Sequence, residues 1–281
     1  MLNFSTVETL QKHLKSLKQQ GKSIGFVPTM GALHPGHLAL IKRAKNETDV
    51  VVCSIFVNPT QFNNKEDLLK YPRTIAEDSK LLKEIGCDVV FIPSEEEVYP
   101  KDANFKKHDF GTLEQVMEGA FRPGHFNGVA TVVKRLFEIV NPDKAYFGLK
   151  DYQQLAIIKA MVKQEGLNLE IISCDIVREV DGLAMSSRNT RLNNIDRQRA
   201  VEISKALFKS KELANDTEVA SLISFVKDQL NKEYFKLEYF EIVHPETLQL
   251  IKNWKDVEYA VGCVAVWIGG VRLIDNIVYN V

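Results

Sequence analysis

The sequence predicts an α/β fold in which a parallel sheet carries helices on both faces, followed by a smaller α+β domain. Three observations carry this reading. Over the first two thirds of the chain, apolar runs too short to be helices alternate with longer stretches of helical period, as repeated βα units require. Those short runs are nearly continuous in Val, Ile, Phe and Ala, the mark of strands covered on both faces. After Val177 the order changes to two helices and then three strands, which suits a separate α+β unit.

The predicted strands of the first part are residues 23–28, 50–57, 88–92, 144–147 and 170–177. Helices are expected between them at 37–46, 74–85, 128–140 and 152–164, with Gly86 and Gly166 placed as stops. The segment 1–22, MLNFSTVETLQKHLKSLKQQGK, reads as one amphipathic helix with lysines on its wet side. In the second part, helices 197–213 and 218–231 precede strands 237–243, 259–268 and 271–279, the last two joined by a hairpin at Gly269 and Gly270. The boundary falls at Ile176, giving a Rossmann-like domain over 1–176 and the smaller α+β domain over 177–281.

Lys and Arg together number 36 against 37 Asp and Glu, so no global field favours nucleic acid or an anionic membrane surface. With 45% hydrophobic and 26% charged residues, the composition is that of a folded globular chain. No segment approaches the roughly 20 apolar residues that cross a bilayer. The amino terminus also lacks a signal peptide's apolar stretch, so a cytosolic location is expected. The cysteines Cys53, Cys87, Cys174 and Cys263 are widely spaced with no CxxC pair, so they are expected to be small core residues rather than zinc ligands or a redox pair.

Sheets of this kind bind ligands beyond the carboxyl ends of their strands. The sequence PTMGALHPGH, residues 28–37, follows the first strand and precedes a helix, where backbone N–H groups and the helix dipole favour an anion. Gly31 and Gly36 permit close approach of a ligand, Pro35 stiffens the turn, and His34 and His37 can both donate to phosphate oxygens. The alternative is a turn whose histidines cap the following helix. The pattern is neither GxGxxG nor a GxxxxGK[ST] P-loop, so hydride transfer and γ-phosphoryl transfer lose support, and attack at another phosphate of a nucleotide such as ATP, the α-phosphorus first, remains open.

Gly148, Leu149, Lys150 and Asp151 end another strand, where Lys150 offers a point charge for phosphate and Asp151 fits an N-cap or a contact to the nucleotide sugar. Met185, Ser186, Ser187 and Arg188 form a compact set of donors without an acceptor charge, suited to a triphosphate tail, in a glycine-bearing loop that could close as a lid. Gln61, in NPTQF, could hydrogen-bond a small polar substrate, and Gln154 could join it. RPGHF, residues 122–126, adds a cation and a histidine before a helix, expected to support the residues that touch substrate or to belong to a substrate loop.

These clusters, VPTMGALHPGHL, SIFVNPTQF, YPRT, RPGHFNGVATVV, FGLKDYQQL and REVDGLAMSSRN, occur in the order and spacing of one family across nearly the whole chain. The sequence resembles the pantoate-beta-alanine ligases, also called pantothenate synthetases, of the HxGH nucleotidyltransferase superfamily. The resemblance implies condensation of pantoate with beta-alanine at the expense of ATP, through a pantoyl adenylate, giving pantothenate, AMP and pyrophosphate. It implies that His34, His37, Lys150 and Arg188 are the catalytic set, with His37 the donor to the pyrophosphate leaving group. Met30, Gly31, Ala32, Leu33, Pro35 and Gly36 would line ATP together with Gly148, Leu149 and Asp151.

Lys150, Ser186, Ser187 and Arg188 would hold the phosphate tail, Met185 would line ATP, Val177 would meet adenine through its backbone, and Gln61 and Gln154 would hold pantoate. Gln61 would also help place beta-alanine. The smaller domain would act as a lid, and a homodimer is implied. Magnesium is expected on the outer phosphates of ATP; its protein ligands are unassigned, Asp78 being the one candidate. The family usually has Glu or Gln where this chain has Leu149.

Overall fold

A computed structural model describes residues 1–63, 65–102 and 105–280. The chain divides into two compact units. The first comprises Met1–Phe110, Arg122–Leu149 and Ile157–Asp175, and the second Gly111–Phe121, Lys150–Ala156 and Ile176–Val281.

The first unit holds a six-stranded, all-parallel sheet. In chain order its elements are β1 (Leu2–Phe4), α1 (Val7–Gln19), β2 (Ile24–Thr29), α2 (Pro35–Glu47), β3 (Val50–Ile55), the short α3 (Lys65–Lys70), α4 (Ile75–Glu84), β4 (Val89–Phe91) and the single turn α5 (Glu95–Val98). After α6 (Met117–Phe121), which belongs to the second unit, come α7 (His125–Val140), β5 (Lys144–Gly148), α8 (Tyr152–Gln164), shared between the units, and β6 (Glu170–Cys174).

The strand order is β1-β4-β3-β2-β5-β6. From β2 the chain first builds outward through β3 and β4, then returns to add β5 on the other side of β2. The order therefore reverses between β2 and β5, and the loops leaving their carboxyl ends flank the position where such sheets bind ligands. β3 is buried along its whole length, and β2 nearly so, which accounts for their unbroken apolar sequences. Leu40, Ile41 and Ala44 of α2 pack with Val27, Val51, Cys53 and Ile55, each fully buried large aliphatic contributing roughly 1.5–3 kcal/mol. All four cysteines are buried, and burial pushes the Cys87 thiol up to about 11.

Two local expectations need correction. The first residues are not helical: Leu2–Phe4 pair in parallel with Val89–Phe91 as the edge strand β1, and the helix begins only at Val7 after Thr6. α7 begins at His125 and not at Gly128, because Gly124 with φ 77° turns the chain into the helix. Gly128 is a helix-interior residue whose missing side chain matters elsewhere: a Cβ there would lie 2.6 Å from the carbonyl oxygen of Thr60.

The second unit carries α9 (Asn194–Leu213), α10 (Val219–Gln229) and the antiparallel sheet β7 (Lys236–Val243), β8 (Tyr259–Ile268) and β9 (Val271–Asn280). The β8–β9 hairpin turns at Gly269 and Gly270, with φ 55° and 73°, as a tight two-residue turn demands. Ala200, Ile203 and Leu207 of α9 and Leu222 and Val226 of α10 pack with Phe240, Val264 and Ile268 of the sheet. Two short segments from earlier in the chain join this unit. Arg272 of β9 donates to both carboxylate oxygens of Glu118 in α6 at 2.7 Å, and Tyr152 donates to the carbonyl of Pro245 at 3.1 Å. Among the described residues no helix is long and apolar enough to cross a membrane.

Candidate active site

In the first unit the site is built on the loop between β2 and α2. Thr29, the last residue of β2, donates to the carbonyl of Ser54 at 2.7 Å and accepts the N–H of Gly31 at 3.2 Å, anchoring the loop to the sheet. Gly31 and Ala32 then take left-handed backbone angles, φ 79° and 50°. Only glycine fits at position 31, because a Cβ would sit 2.9 Å from Asp78 Oδ2 and 3.1 Å from Ile55. The turn directs the N–H groups of Ala32 and Leu33 at the carboxylate of Asp78, 2.9 and 2.8 Å away. Asp78 is 1% exposed and also accepts from the Thr74 hydroxyl at 3.2 Å. Both its oxygens are thus engaged in shaping the loop.

His34 is the N-cap of α2, and Pro35 occupies the first helical position, where its missing N–H costs nothing. Nδ1 of His34 accepts the N–H of Gly36 at 3.2 Å, and the N–H of His34 donates to Nδ1 of His37 at 3.4 Å. The two rings lie 4.1 Å apart, centroid to centroid. Capping is therefore what these histidines do within the protein, and it has a chemical consequence. A nitrogen that accepts carries no proton, so each neutral ring bears its proton on Nε2, and each imidazole presents an Nε2–H donor. The loop's amides, from Gly31 to His34 and at Gly36, find acceptors within the chain. The backbone N–H groups expected to face an anion are thus engaged within the chain.

Gln61 lies in the 3-10 turn Pro59–Gln61, capped by Asn58, whose side chain accepts from the N–H of Thr60. Asn58 is buried and also accepts the Tyr99 hydroxyl at 2.8 Å, while its own amide donates to the Gly128 carbonyl at 3.2 Å and to Gln61 Oε1 at 3.0 Å. With its oxygen taken, Gln61 offers its NH₂ as a donor. His125 adds a second hold, its Nδ1 lying 2.8 Å from the Gln61 carbonyl. Burial raises the Tyr99 phenol to about 12, so it stays protonated and able to donate to Asn58. Tyr99 and His125 thus serve Gln61, and of the two it is Tyr99 that sequence spacing does not reveal. Gly148 closes β5, and no described protein atom lies within 4 Å of a Cβ built there, so packing does not require the glycine.

The second unit carries the remaining predicted residues. Lys150 and Asp151 lie in the 3-10 turn Leu149–Asp151 and pair with each other at 3.2 Å. Gln154 is half-buried on the first turn of α8, beside the buried Gln153, which donates to the carbonyls of Leu113 and Val116 at 2.7 and 2.9 Å. Val177 and Met185 close the neck of a hairpin-like loop, the Met185 N–H donating to the Val177 carbonyl at 3.0 Å. Ser186 caps the 3-10 segment Ser187–Arg191 by accepting the Arg188 N–H at 3.2 Å, and Asn189 ties the turn to the Ala184 carbonyl at 3.1 Å. Arg178, which the sequence marked only as the lead-in to this loop, grips Asp275 through two hydrogen bonds of 2.6 and 2.9 Å. Its guanidinium also stacks on the Phe208 ring at 4.8 Å.

Comparison with known proteins gives a consistent result. The sequence profile of the family described as pantoate-beta-alanine ligase matches residues 3–278. A pantothenate synthetase of Phocaeicola vulgatus is 56% identical over 98% of this chain and 98% of its own length, and one of Bacteroides fragilis is 54% identical with the same coverage. The crystal structure of pantothenate synthetase from Thermus thermophilus superposes with a TM-score of 0.93 at 45% identity, covering 99% of both chains. A pantoate-beta-alanine ligase of Francisella tularensis, solved in complex with beta-gamma ATP and beta-alanine, has a TM-score of 0.81 at 38% identity, covering 99% of this chain and 97% of that one.

Proposed function

Since the chain belongs to the pantoate-beta-alanine ligase family, we propose that it condenses (R)-pantoate with beta-alanine at the expense of ATP, giving pantothenate, AMP and pyrophosphate through a pantoyl adenylate. The observation that carries the reading is the reciprocal cap of His34 and His37, which sets both rings as Nε2–H donors at the strand-order reversal. The Francisella relative's complex with an ATP species and beta-alanine supports the choice of substrates.

In the first step a pantoate carboxylate oxygen attacks the α-phosphorus, and the bond to the bridging oxygen breaks to release pyrophosphate. The obstacle is charge: an anion must approach a polyanion. Catalysis then rests on positioning and on donors preset toward the developing charge. His34 and His37 would donate to phosphate oxygens through Nε2–H, His37 to the departing pyrophosphate, with the turn Met30, Gly31, Ala32, Leu33, Pro35 and Gly36 and the strand end Gly148 and Leu149 lining the nucleotide. Gln61 would donate its NH₂ to pantoate.

From the second unit, Lys150, Ser186, Ser187 and Arg188 would neutralise the phosphate tail, Val177 would meet adenine, Asp151 and Met185 would line ATP, and Gln154 would hold pantoate. In the second step the beta-alanine amine attacks the acyl carbon, the bond to the phosphate oxygen breaks, and AMP leaves. Among the described residues no group of three or more His, Cys, Asp or Glu side chains is placed to hold a metal ion. Magnesium carried by ATP would help to neutralise the charge of the outer phosphates.

The adenylate can be tested by pyrophosphate exchange. Labelled pyrophosphate should enter ATP when pantoate is present and beta-alanine is absent. No exchange by folded protein that nonetheless makes pantothenate would reject the adenylate route.

A further inference from the structure

We infer that Asp275 and Asn276, consecutive residues of β9, are positioning residues that together set where Lys150 and the Ser186–Arg188 turn stand for the phosphate tail. The inference rests on the function proposed above and deepens it.

β9 is an edge strand of its sheet, and successive side chains of a strand point to opposite faces. On one face Leu273, Ile277 and Tyr279 join the core that includes α9; on the other Val278 packs against the same small cluster as Tyr152 at the start of α8. Asp275 falls in the first set and Asn276 in the second. Each reaches a different phosphate-contact segment. Asp275 takes both guanidinium nitrogens of Arg178, at 2.6 and 2.9 Å, and Arg178 in turn donates to the Gly182 carbonyl at 3.1 Å and the Asn276 carbonyl at 3.3 Å. That grip pins the base of the loop whose far side, from Ala184 on, leads into Ser186 and Arg188. Asn276 donates through its side-chain amide to the carbonyl of Lys150 at 3.0 Å.

Both residues are 3% exposed, and the Asn276 N–H itself donates to Asp275 at 2.7 Å, so the two holds share one rigid point. Burial raises the Asp275 carboxyl, while Arg178 and, more weakly, Lys150 draw it back down, so this carboxylate senses the cations of both segments. Besides Arg272, which pairs with Glu118, the strand VRLIDNIVY is apolar apart from Asp275 and Asn276, and a buried ion pair and amide are costly to keep for stability alone. Here they bring two loops that are far apart in sequence to one support.

The test is Asn276→Ala and Asn276→Asp, which remove the donor to Lys150 and leave Lys150 itself in place. For each, kcat, the KM for ATP and for beta-alanine, the affinity for a non-hydrolysable ATP analogue in the absence of pantoate, and the melting temperature would be measured. Misplacing a phosphate contact by about 1 Å costs up to about 10²-fold, so kcat/KM for ATP and the analogue affinity should fall by roughly 10- to 100-fold. KM for beta-alanine should stay within about twofold. Unchanged ATP parameters, a parallel loss in every constant, or failure of both variants to fold would each overturn the inference. Should the wild type ignore pantoate, the proposed reaction falls, while the analogue affinities still decide the positioning role.

Discussion

Asp78 accepts the backbone N–H of Leu33 at 2.8 Å, a bond between residues 45 apart that, with its twin to Ala32, fixes the loop leading to His34. Hydrogen bonds to a buried charge are worth about 1.5–3 kcal/mol each. Asp78→Ala should therefore lower stability by several kcal/mol, to the order of two such bonds, and reduce kcat as well, because the histidines would lose their fixed approach. Thermal unfolding and steady-state rates check this. A variant that melts early but turns over normally once folded would show that the loop needs no such support.

His37→Ala separates capping from catalysis. Loss of a cap alone costs about 0.5–2 kcal/mol of stability and leaves kcat near normal. Loss of a donor to the leaving group should lower kcat by about 10²-fold or more. Rates measured at saturating substrates decide between them, and a near-normal kcat would reduce His37 to a structural residue.

Gln61→Glu tests the orientation imposed by Asn58. The replacement has the same shape but only accepts, so it should repel the pantoate carboxylate and raise the KM for pantoate by roughly tenfold or more, the size of one lost hydrogen bond. The KM for ATP should change little. Unaltered pantoate kinetics would mean that Gln61 does not face that substrate as a donor.

Asp49 links pH to the stability of the first unit. The Ser23 N–H and hydroxyl, at 2.9 and 2.8 Å, and Lys22 lower its carboxyl from 3.8 to about 2. A depressed carboxylate contributes stability that is present above the unfolded value and lost as pH falls through the folded one. That window runs from about pH 4 down to about pH 2. Melting temperatures of the wild type should drop more steeply across the window than those of Asp49→Asn, and parallel curves would contradict the assignment.

The apolar runs placed the strands well because a strand buried on both faces has no polar position to blur it, as β3 shows. The edge strand β1 escaped notice because three residues followed directly by a helix leave no periodic signal. Gly128 suggests a helix boundary along the chain, whereas its reason is close contact with Thr60, a distance in space. The same limit hid the supports of the candidate site. HPGH, NPTQF and SSRN are local patterns and can be read along the chain, whereas Asp78, Tyr99, Asp275 and Asn276 act on residues far from them in sequence. The Asp275–Asn276 pair inside the mostly apolar β9 is a hint, since buried polar groups need partners.

The most direct measurement incubates the protein with ATP, (R)-pantoate and beta-alanine, omitting each in turn, and quantifies AMP, pyrophosphate and the amide product. One AMP, one pyrophosphate and one pantothenate are expected per turnover, with the amide formed only when all three substrates are present. A stable nucleotide adduct formed with pantoate ignored, or ATP consumption yielding no amide, would contradict the proposed reaction.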